Sequence, residues 1–468
     1  MGKLHKISDY RAAVAALTDQ YRALAPGEPV RLAKSTSNLF RFRAPTGSTG
    51  LDVSAFDQVL QVDPKARVAE VGGMTTYEKL VAATLPHGLM PLVVPQLKTI
   101  TLGGAISGLG IESTSFRNGL PHESVLEAEV LTGDGRVAIV SENNEHAELF
   151  RGLPNSYGTL GYVLRARIEL EQVNPYVRLR HIRFPDIKMA TAALDHIYMN
   201  RSYEGIPVDF VDGTVFEPKE WDYSRHLDPN SVVITLGDSV REAPYTSDYT
   251  GMNIFYRSIR QREVDYLTIY DYLWRWDTDW FWCSRAFGLE WPTLRKMWPK
   301  RYLRSDVYRR LVALDRRYKL SQRLLAAAGR PPTEPVIQDV EIPLAQLPEF
   351  MAFFRSEIGI SPIWLCPLQL RAQRQWPLYP LDIDTRYVNV GFWSTVPKRP
   401  QQKSSYHNRR IEQVVTELGG RKSLYSDAYY PPEEFAELYN GAAYRRLKNE
   451  YDRDGRLPDL YTKVVHNQ

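Results

Sequence analysis

The segment Pro95–Gly110 reads PQLKTITLGGAISGLG. Four glycines, at positions 103, 104, 108 and 110, lie among Thr and Ser hydroxyl groups. Glycine adopts positive φ and has no Cβ, so backbone N–H groups can approach a ligand closely, and the hydroxyls add further donors. Such a loop forms a concave site for the anionic oxygens of a diphosphate. The spacing matches neither a Walker A loop nor the Rossmann G-x-G-x-x-G pattern.

Two other segments have related chemistry. Lys34–Asn38 reads KSTSN, and Gly158–Gly161 reads GTLG. Taken alone, each of the three segments could be a phosphate-binding loop or simply a tight turn in a β-rich domain. The order and spacing of the three segments along the chain therefore carry more information than any one of them.

Short apolar runs broken by Gly, Pro, Ser and Thr fill residues 30–170 and predict strands joined by turns. Leu92–Pro95 is one predicted strand, and Gly133–Gly135 is a predicted hairpin turn. Thr76–Leu85 is predicted as a helix. Strand-like sequence returns later, for example at Val336–Ile342 and Ile363–Leu370. The chain is therefore predicted to be α+β.

The composition shifts after residue 173, which divides the chain into predicted units. Residues 1–172 form the first domain, 173–410 a second domain, and 411–468 a helical segment that packs back on the interface between them. At 468 residues, with 43% hydrophobic and 24% charged side chains, the chain is long enough for two cores and is not disordered.

Composition also excludes several functions. Two cysteines cannot build a disulfide framework or a cysteine-based metal cluster, and the histidines lack metal-ligand spacing, so no metal is predicted. A net charge of +4 is too small to predict nucleic-acid binding. With no run of eighteen apolar residues and no signal-like N-terminus, we expect a cytoplasmic protein that contacts a membrane, if at all, from one side.

The three segments, with Leu131–Gly135 between the last two, resemble the FAD-binding domain of the vanillyl-alcohol-oxidase (PCMH-type) flavoproteins. The resemblance covers about 140 residues and implies a two-subdomain FAD-binding domain, followed by an α+β substrate or cap domain with an antiparallel sheet. It implies FAD contacts from the following residues: Lys34, Ser35, Thr36, Ser37, Asn38, Pro95, Gln96, Thr101, Leu102, Gly103, Gly104, Ser107, Gly108, Gly110, Ile111, Ser113, Ser115, Tyr157, Gly158 and Gly161.

Many members of that superfamily attach FAD covalently through a His or Cys in or near these loops. The segment Ile111–Arg117 contains neither residue, so we expect non-covalent FAD. His122, just downstream, is the alternative attachment point.

Four motifs narrow the resemblance: Gly108–Ser115, Asn155–Gly161, Pro362–Pro367 and Leu424–Tyr430. Together they are similar to delta-24 sterol reductases. With the opening Arg31–Arg41, the chain more closely resembles bacterial flavoproteins that reduce 10-methylene fatty acyl chains in tuberculostearic acid formation. That likeness implies NADPH as electron donor and a S-adenosylmethionine-dependent methyltransferase upstream. The alternatives are a sterol or isoprenoid side-chain reductase, an FAD-dependent oxidase, or a flavin-free lipid-binding protein.

An isolated C=C is not electrophilic, so hydride from the N5 atom of a reduced flavin needs a proton delivered before it or with it. The site therefore requires an acid in a dry pocket. Asp427, between Tyr425 and Tyr429, is a candidate acid, with a turn or helix cap as its alternative role. Glu112 is a second candidate, with backbone donors as alternative partners, and Tyr429 completes the predicted catalytic set.

The stretch Tyr266–Tyr302 holds six of the ten tryptophans, and a basic block, Arg295–Arg323, overlaps its end and continues beyond it. Tryptophans and cations together are typical of a membrane interface, which would give access to acyl chains in phospholipid. Alternatively, the tryptophans pack the second domain or line a substrate tunnel, and the cations form a solvated helix face.

Overall fold

The structure is a computed structural model that describes residues 2–34, 50–216, 232–318, 323, 327, 329, 331–371, 373–398 and 401–467. The predicted cofactor contacts Ser35, Thr36, Ser37 and Asn38 lie outside these ranges. The chain is α+β, as predicted.

The first domain is built on a six-stranded antiparallel sheet in the order β3-β4-β8-β6-β7, with β5 paired to β8. Its strands are β1 (Leu32–Ala33), β2 (Leu51–Asp52), β3 (Val59–Asp63), β4 (Val68–Gly72), β5 (Leu89–Pro91), β6 (Val125–Leu131), β7 (Val137–Ser141) and β8 (Tyr162–Gln172); β1 and β2 pair separately. Its helices are α1 (Gly2–Arg22), α2 (Tyr77–Thr84), α3 (Leu102–Gly108), α4 (Ser115–Asn118) and α5 (Ala147–Gly152).

Local sequence explains these elements. The Thr76 hydroxyl caps α2 by accepting a hydrogen bond from the backbone N of Lys79 at 3.4 Å, which places the helix within the predicted range. Gly135, at φ 82°, turns the chain between β6 and β7, as the hairpin signal predicts. The predicted strand Leu92–Pro95 is wrong, since the strand ends at Pro91. The Leu92 carbonyl instead accepts side-chain hydrogen bonds from α4 and the residue before it, so it joins no ladder.

The second domain carries an eight-stranded antiparallel sheet in the order β14-β9-β13-β12-β16-β17-β15-β18. Its strands are β9 (Tyr176–Phe184), β10 (Ser202–Tyr203), β11 (Ile206–Pro207), β12 (Phe210–Val215), β13 (Val232–Val240), β14 (Val264–Thr268), β15 (Thr333–Pro343), β16 (Ile363–Leu368), β17 (Tyr387–Pro397) and β18 (Arg421–Lys422), where β10 and β11 form a separate hairpin. Its helices are α6 (Ile187–Asn200), α7 (Phe255–Gln261), α8 (Ile269–Leu273), α9 (Pro292–Met297), α10 (Ser305–Tyr318) and α11 (Leu347–Glu357).

The eight-stranded sheet has two different faces. Alternate residues such as Val340, Leu365 and Phe392 belong to a core shared with α6 and α11. Trp364 and Trp393 belong to the core that continues into the first domain. Because side chains alternate along a strand, residues in the same phase as these two tryptophans point toward the first domain.

The last helices are α12 (Tyr406–Glu417), α13 (Pro432–Leu438), α14 (Gly441–Tyr451) and α15 (Leu460–Val465). Helix α12 packs on β15, whereas α14 packs on α5 of the first domain. The Lys448 and Lys463 ammonium groups donate to the carbonyls of Thr159 at 2.9 Å and Tyr157 at 2.6 Å. The C-terminal segment thus holds the loop around Gly158 in place. Across the ranges described, no helix has the length and apolarity needed to span a membrane.

Candidate functional site

A cleft of about 1220 Å³, partly open to solvent, lies between α3 and the tryptophan-bearing face of the large sheet. One wall comes from the first domain: Lys34, Pro95, Gln96, Leu97, Thr99, Ile100, Thr101, Gly104, Ser107, Gly108, Leu109, Gly110, Ile111 and Tyr157. The opposite wall, which we call the aromatic wall, comes from the rest of the chain: Trp280, Phe281, Asp339, Trp364, Trp393, Ser423 and Tyr425. The glycine-rich loop therefore faces an aromatic surface.

The first wall, which we call the glycine wall, offers its backbone to a ligand. The Thr101 hydroxyl caps α3 by accepting from the Gly104 N–H at 3.2 Å, and an added Cβ at Gly104 would lie 2.9 Å from that oxygen. A Cβ at Gly108 would lie 3.3 Å from the ring of Tyr157, and one at Gly110 3.0 Å from Pro95. A side chain at any of these positions would press on neighbouring protein atoms, so the backbone stays bare where it lines the cleft.

Gln96 adds an unused amide to this wall. Its side chain is buried, and neither its Nε2 nor its Oε1 has a hydrogen-bond partner in the described part of the chain. A buried amide without partners costs free energy, so a ligand that hydrogen-bonds it would recover that loss. With the Lys34 cation in the same wall, these groups fit a phosphate-bearing nucleotide such as FAD.

The structure brings ten of the predicted FAD contacts to the cleft: Lys34, Pro95, Gln96, Thr101, Gly104, Ser107, Gly108, Gly110, Ile111 and Tyr157. The other described ones, Leu102, Gly103, Ser113, Ser115, Gly158 and Gly161, do not line it.

Three of these six have other visible roles. Gly103 packs so closely on Gly73 that a Cβ would lie 2.8 Å from its carbonyl oxygen. The Ser113 hydroxyl accepts from Tyr272 at 2.8 Å, and the Ser115 hydroxyl accepts from the Glu112 N–H at 3.0 Å. These residues shape the loop from behind.

Covalent attachment through His122 has no support from its position. The ring is buried with its edge against Trp376, at 4.5 Å between centroids, and burial lowers its pKa to about 3. None of the described residues that line the cleft is a His or a Cys. Nor do the described ranges contain a group of three or more His, Cys, Asp or Glu that could hold a metal ion.

Glu112 lies outside the cleft wall, in a buried ion network. Its Oε1 accepts from Arg275 Nη2 at 3.0 Å, and the same nitrogen donates to Asp212 at 2.7 Å. Asp212 also accepts from the indole N–H of Trp364 at 3.4 Å. Burial raises the pKa of Glu112, and the Arg275 guanidinium opposes that rise. Glu112, a predicted acid, is thus the ion-pair partner of Arg275 and does not face the cleft.

Asp427 and Tyr429 also do not line the cleft. The backbone carbonyl of Asp427 accepts from Lys422, which forms a buried ion pair with Glu412 at 2.6 Å. The Tyr429 N–H donates to the same Glu412 carboxylate at 3.1 Å, and burial raises the pKa of its phenol to about 12. Their catalytic roles stay predictions, but their motif does reach the cleft through Tyr425.

Asp339 is a charged cleft residue that the sequence motifs did not indicate. It is half-buried, and it lies in the cleft wall. Asn389 Nδ2 donates to it at 3.2 Å, and Tyr425 donates its hydroxyl. Enclosure by protein raises the pKa of Asp339 to about 7. A usable signal existed: Asp339 and Glu341 alternate with Val340 and Ile342 in a predicted strand, which puts two acids on one face.

The aromatic stretch divides into two parts. Trp274, Trp276, Trp280 and Trp282 are all buried, so the packing alternative holds for them. Phe281 stacks on Trp393, at 4.3 Å between ring centroids. Further along, Trp291 and Met297 are 66% and 80% exposed.

Trp280 and Phe281 also have unusual backbone conformations, with φ of 46° and 61°. Residues other than Gly rarely adopt this left-handed backbone conformation, and backbone strain of this kind concentrates at functional sites. Here it turns both rings into the cleft wall.

Comparison with known proteins agrees with this geometry. The family model of the FAD binding domain matches residues 8–141. The chain is 26% identical over 418 residues to the delta(24)-sterol reductase of Mus musculus and 25% identical over 420 residues to that of Homo sapiens. Each match covers 87% of this chain and 76% of the relative. Over 154 residues it is 32% identical to cytokinin dehydrogenase 5 of Arabidopsis thaliana, covering 33% of this chain and 28% of that protein.

The fold and the family match together place an FAD-binding domain of the PCMH type in the first part of the chain. The chain is an FAD-dependent oxidoreductase. The predictions of fold class and enzyme class are therefore confirmed at this level.

Proposed function

We propose that this protein reduces an isolated C=C of a lipid, converting a 10-methylene fatty acyl chain to the 10-methyl chain. The observation that carries the proposal is the cleft itself, in which a wall suited to FAD faces five aromatic side chains. An apolar surface next to the cofactor suits a hydrocarbon substrate, because burying its methylene groups contributes about 0.8 kcal/mol each.

In this proposal FAD, held non-covalently by the glycine wall, Gln96 and Lys34, supplies hydride when reduced. The aromatic wall binds the acyl chain and excludes water from the reacting carbons. Protonating an isolated alkene leaves positive charge on the neighbouring carbon. The ring faces of Trp280, Phe281, Trp364 and Trp393 suit that charge, because cations are attracted to aromatic faces. NADPH as electron donor is part of the proposal.

A sterol side-chain reductase is the second candidate, favoured by the similarity to delta(24)-sterol reductases over 87% of this chain and 76% of their length. Both reactions need the same cleft chemistry, so the substrate must decide between them. The methylene substrate of the first candidate would come from a S-adenosylmethionine-dependent methyltransferase acting on an unsaturated chain.

The test is an anaerobic reaction of the FAD-loaded, dithionite-reduced protein with each alkene in turn. We expect a 10-methylene acyl lipid to restore the oxidised flavin spectrum, with the 10-methyl product found by mass spectrometry. Reoxidation by a Δ24 sterol alone would favour the second candidate, and reoxidation by oxygen alone would favour an oxidase. A purified protein that stays colourless after FAD addition would contradict both reductase proposals.

A cell-level experiment tests the same proposal. Cells that make methyl-branched lipid and lack this protein should accumulate 10-methylene chains, and the chain restored on a plasmid should clear them. Unchanged 10-methyl lipid in the deletion would count against the fatty acyl substrate.

We also propose that the protein takes its substrate from the cytoplasmic face of a membrane. Trp291, Leu294, Met297 and Tyr302 are large exposed apolar side chains in and around α9. Between Trp291 and Tyr302 the chain has no acidic residue, while Lys296, Lys300 and Arg301 are exposed. Each cation near an anionic surface adds about 1 kcal/mol of attraction.

This exposed face is tied to the cleft. Arg295 of α9 pairs with Asp279 through two hydrogen bonds, at 2.5 and 3.1 Å, and Asp279 directly precedes the cleft residue Trp280. We expect the protein to sediment with vesicles containing anionic phospholipid, and Trp291→Ala with Met297→Ser to weaken sedimentation at least tenfold. Arg446→Met, an exposed change elsewhere, serves as the control. Equal sedimentation of both variants would overturn this proposal.

A further inference from the structure

We propose that Asp339 is the acid that protonates the substrate alkene and that Tyr425 is its positioning residue. The inference rests on the proposed function and names a group that the sequence motifs did not select. It is carried by the place of Asp339 in the cleft wall and by the chemistry of the groups around it.

Asp339 is open to the cleft on one side and held by neutral donors on the others. It lies on β15, opposite Gly391 of β17, with Asn389 Nδ2 at 3.2 Å and the Tyr425 hydroxyl as its side-chain donors. No Lys, Arg or His of the described ranges hydrogen-bonds its carboxyl group. Without a cation, enclosure by protein favours the neutral acid, which is the form that can donate a proton.

The surrounding ionisable groups do not take over this role. Glu341, two residues along the same face, receives hydrogen bonds from the hydroxyls of Tyr379 and Ser423, the latter at 3.1 Å, and does not line the cleft. Tyr157 and Lys34 lie in the opposite wall. Asp339 is thus the one carboxyl group among the described residues that line the cleft.

Two features fix the position of the acid. The Trp393 indole N–H donates to the Tyr425 hydroxyl oxygen at 2.9 Å, which leaves the Tyr425 proton directed to Asp339. Gly391 leaves room for the carboxyl group, since a Cβ at that position would collide with Asp339 Oδ1. The same Trp393 ring belongs to the aromatic wall, so acid and cation-stabilising faces lie together.

In the proposed step, one proton and one hydride add across the C=C bond. The O–H bond of Asp339 breaks as a C–H bond forms at the less substituted alkene carbon, which leaves a carboxylate and a positive charge on the tertiary carbon. The hydride that completes the alkane comes from the reduced cofactor of the proposed function. Water reprotonates Asp339 through the open side of the cleft before the next turnover.

The experiment compares wild type with Asp339→Asn, and uses Glu341→Gln as the matched control at a neighbouring carboxyl. Each FAD-loaded protein is titrated by infrared difference spectroscopy without substrate, and its FAD affinity and reoxidation by alkene are measured. We expect a protonated-carboxyl band that titrates near pH 7 in wild type and Glu341→Gln and is absent from Asp339→Asn. FAD affinity should stay within about threefold, while reoxidation by alkene falls at least 100-fold in Asp339→Asn.

The outcomes separate the two proposals. If wild type and Asp339→Asn reduce the alkene at equal rates, Asp339 is not the acid, although the proposed function stands. If the titrating band survives in Asp339→Asn, Asp339 is not the protonated group. If wild type reacts with no alkene while binding FAD, the proposed function fails, and the acid role fails with it. If Asp339→Asn folds poorly, Tyr425→Phe tests the assignment instead. This variant keeps the Asp339 carboxyl and should shift the pH profile of alkene reduction.

Discussion

Two carboxyl clusters lie on the inner side of the large sheet, and they differ in what holds them. Glu112 and Asp212 share the guanidinium of Arg275, and all three side chains are almost completely buried. Asp339 is half-buried and open to the cleft, and the side chains that hydrogen-bond it within the described ranges, Asn389 and Tyr425, are neutral. Burial raises the pKa of both Glu112 and Asp339, but a cation opposes the rise only at Glu112.

The difference shows that a buried acid is not by itself a catalytic acid. Arg275 is stacked on Tyr272, with 4.0 Å from its guanidinium carbon to the ring centroid, so it is fixed as the centre of its network. The two ion pairs of Arg275 link the two domains, because Glu112 follows the glycine-rich loop of the first domain and Asp212 lies in β12 of the second. Asp339 faces the cleft, and no cation of the described residues hydrogen-bonds its carboxyl group, which is the combination that proton transfer needs.

Removing the cation should have the largest effect on stability. Arg275→Met leaves two carboxyls buried without their shared partner, so we expect the free energy of unfolding to fall by about 3–5 kcal/mol. Urea denaturation at pH 7 measures the change. A loss below 1 kcal/mol would mean that the network does not hold the fold together.

Replacing the cleft acid should change how stability depends on pH. The folded pKa of Asp339, about 7, lies above the value of about 3.9 expected for an unfolded chain. Between these values the folded protein keeps a proton that the unfolded chain has lost, so this site lowers wild-type stability as pH rises. Relative to wild type, Asp339→Asn should gain up to about 4 kcal/mol from pH 4 to above pH 7, and less where water enters the cleft.

That gain is measured by urea denaturation of both proteins across the pH range. Arg446→Met, an exposed change that removes no buried carboxyl, is the control for a general effect of substitution. A constant difference between Asp339→Asn and wild type at every pH would show that Asp339 has an ordinary pKa.

Removing only the hydroxyl of Tyr425 should have a smaller effect, and that effect should be a rise in the pKa of Asp339. The Tyr425 hydrogen bond favours the charged form of Asp339, so Tyr425→Phe should raise the Asp339 pKa further. A hydrogen bond of about 1 kcal/mol corresponds to roughly 0.5–1 pH unit. The infrared titration should show the shift upward. A downward shift would contradict the assigned donor direction.

An exposed ion pair should show the smallest effect and serves as the reference for Arg275. Arg446 and Glu148 form a pair at 3.0 Å with both side chains about 60% exposed. Arg446→Met should change the free energy of unfolding by less than about 0.5 kcal/mol, because solvent screens exposed pairs. A large loss would show that arginine removal itself, rather than burial, accounts for the Arg275 result.

Much of the fold followed from local patterns. The cap at Thr76, the turn at Gly135 and the alternation around Val340 act over a few residues, so the sequence predicted the elements they form. The strand predicted at Leu92–Pro95 failed because the Leu92 carbonyl binds side chains from a later segment. No pattern of four residues contains that information.

At the site, local sequence was enough to predict the glycine wall, because glycine spacing and a bare backbone are local properties that any fold must accommodate. It could not decide which acid meets the ligand. Glu112 follows the loop in sequence but pairs with Arg275, whereas Asp339 comes more than two hundred residues later and lies in the opposite wall. Only the tertiary structure could assign these roles, because the state of a carboxyl depends on the charges and the solvent that distant segments bring to it.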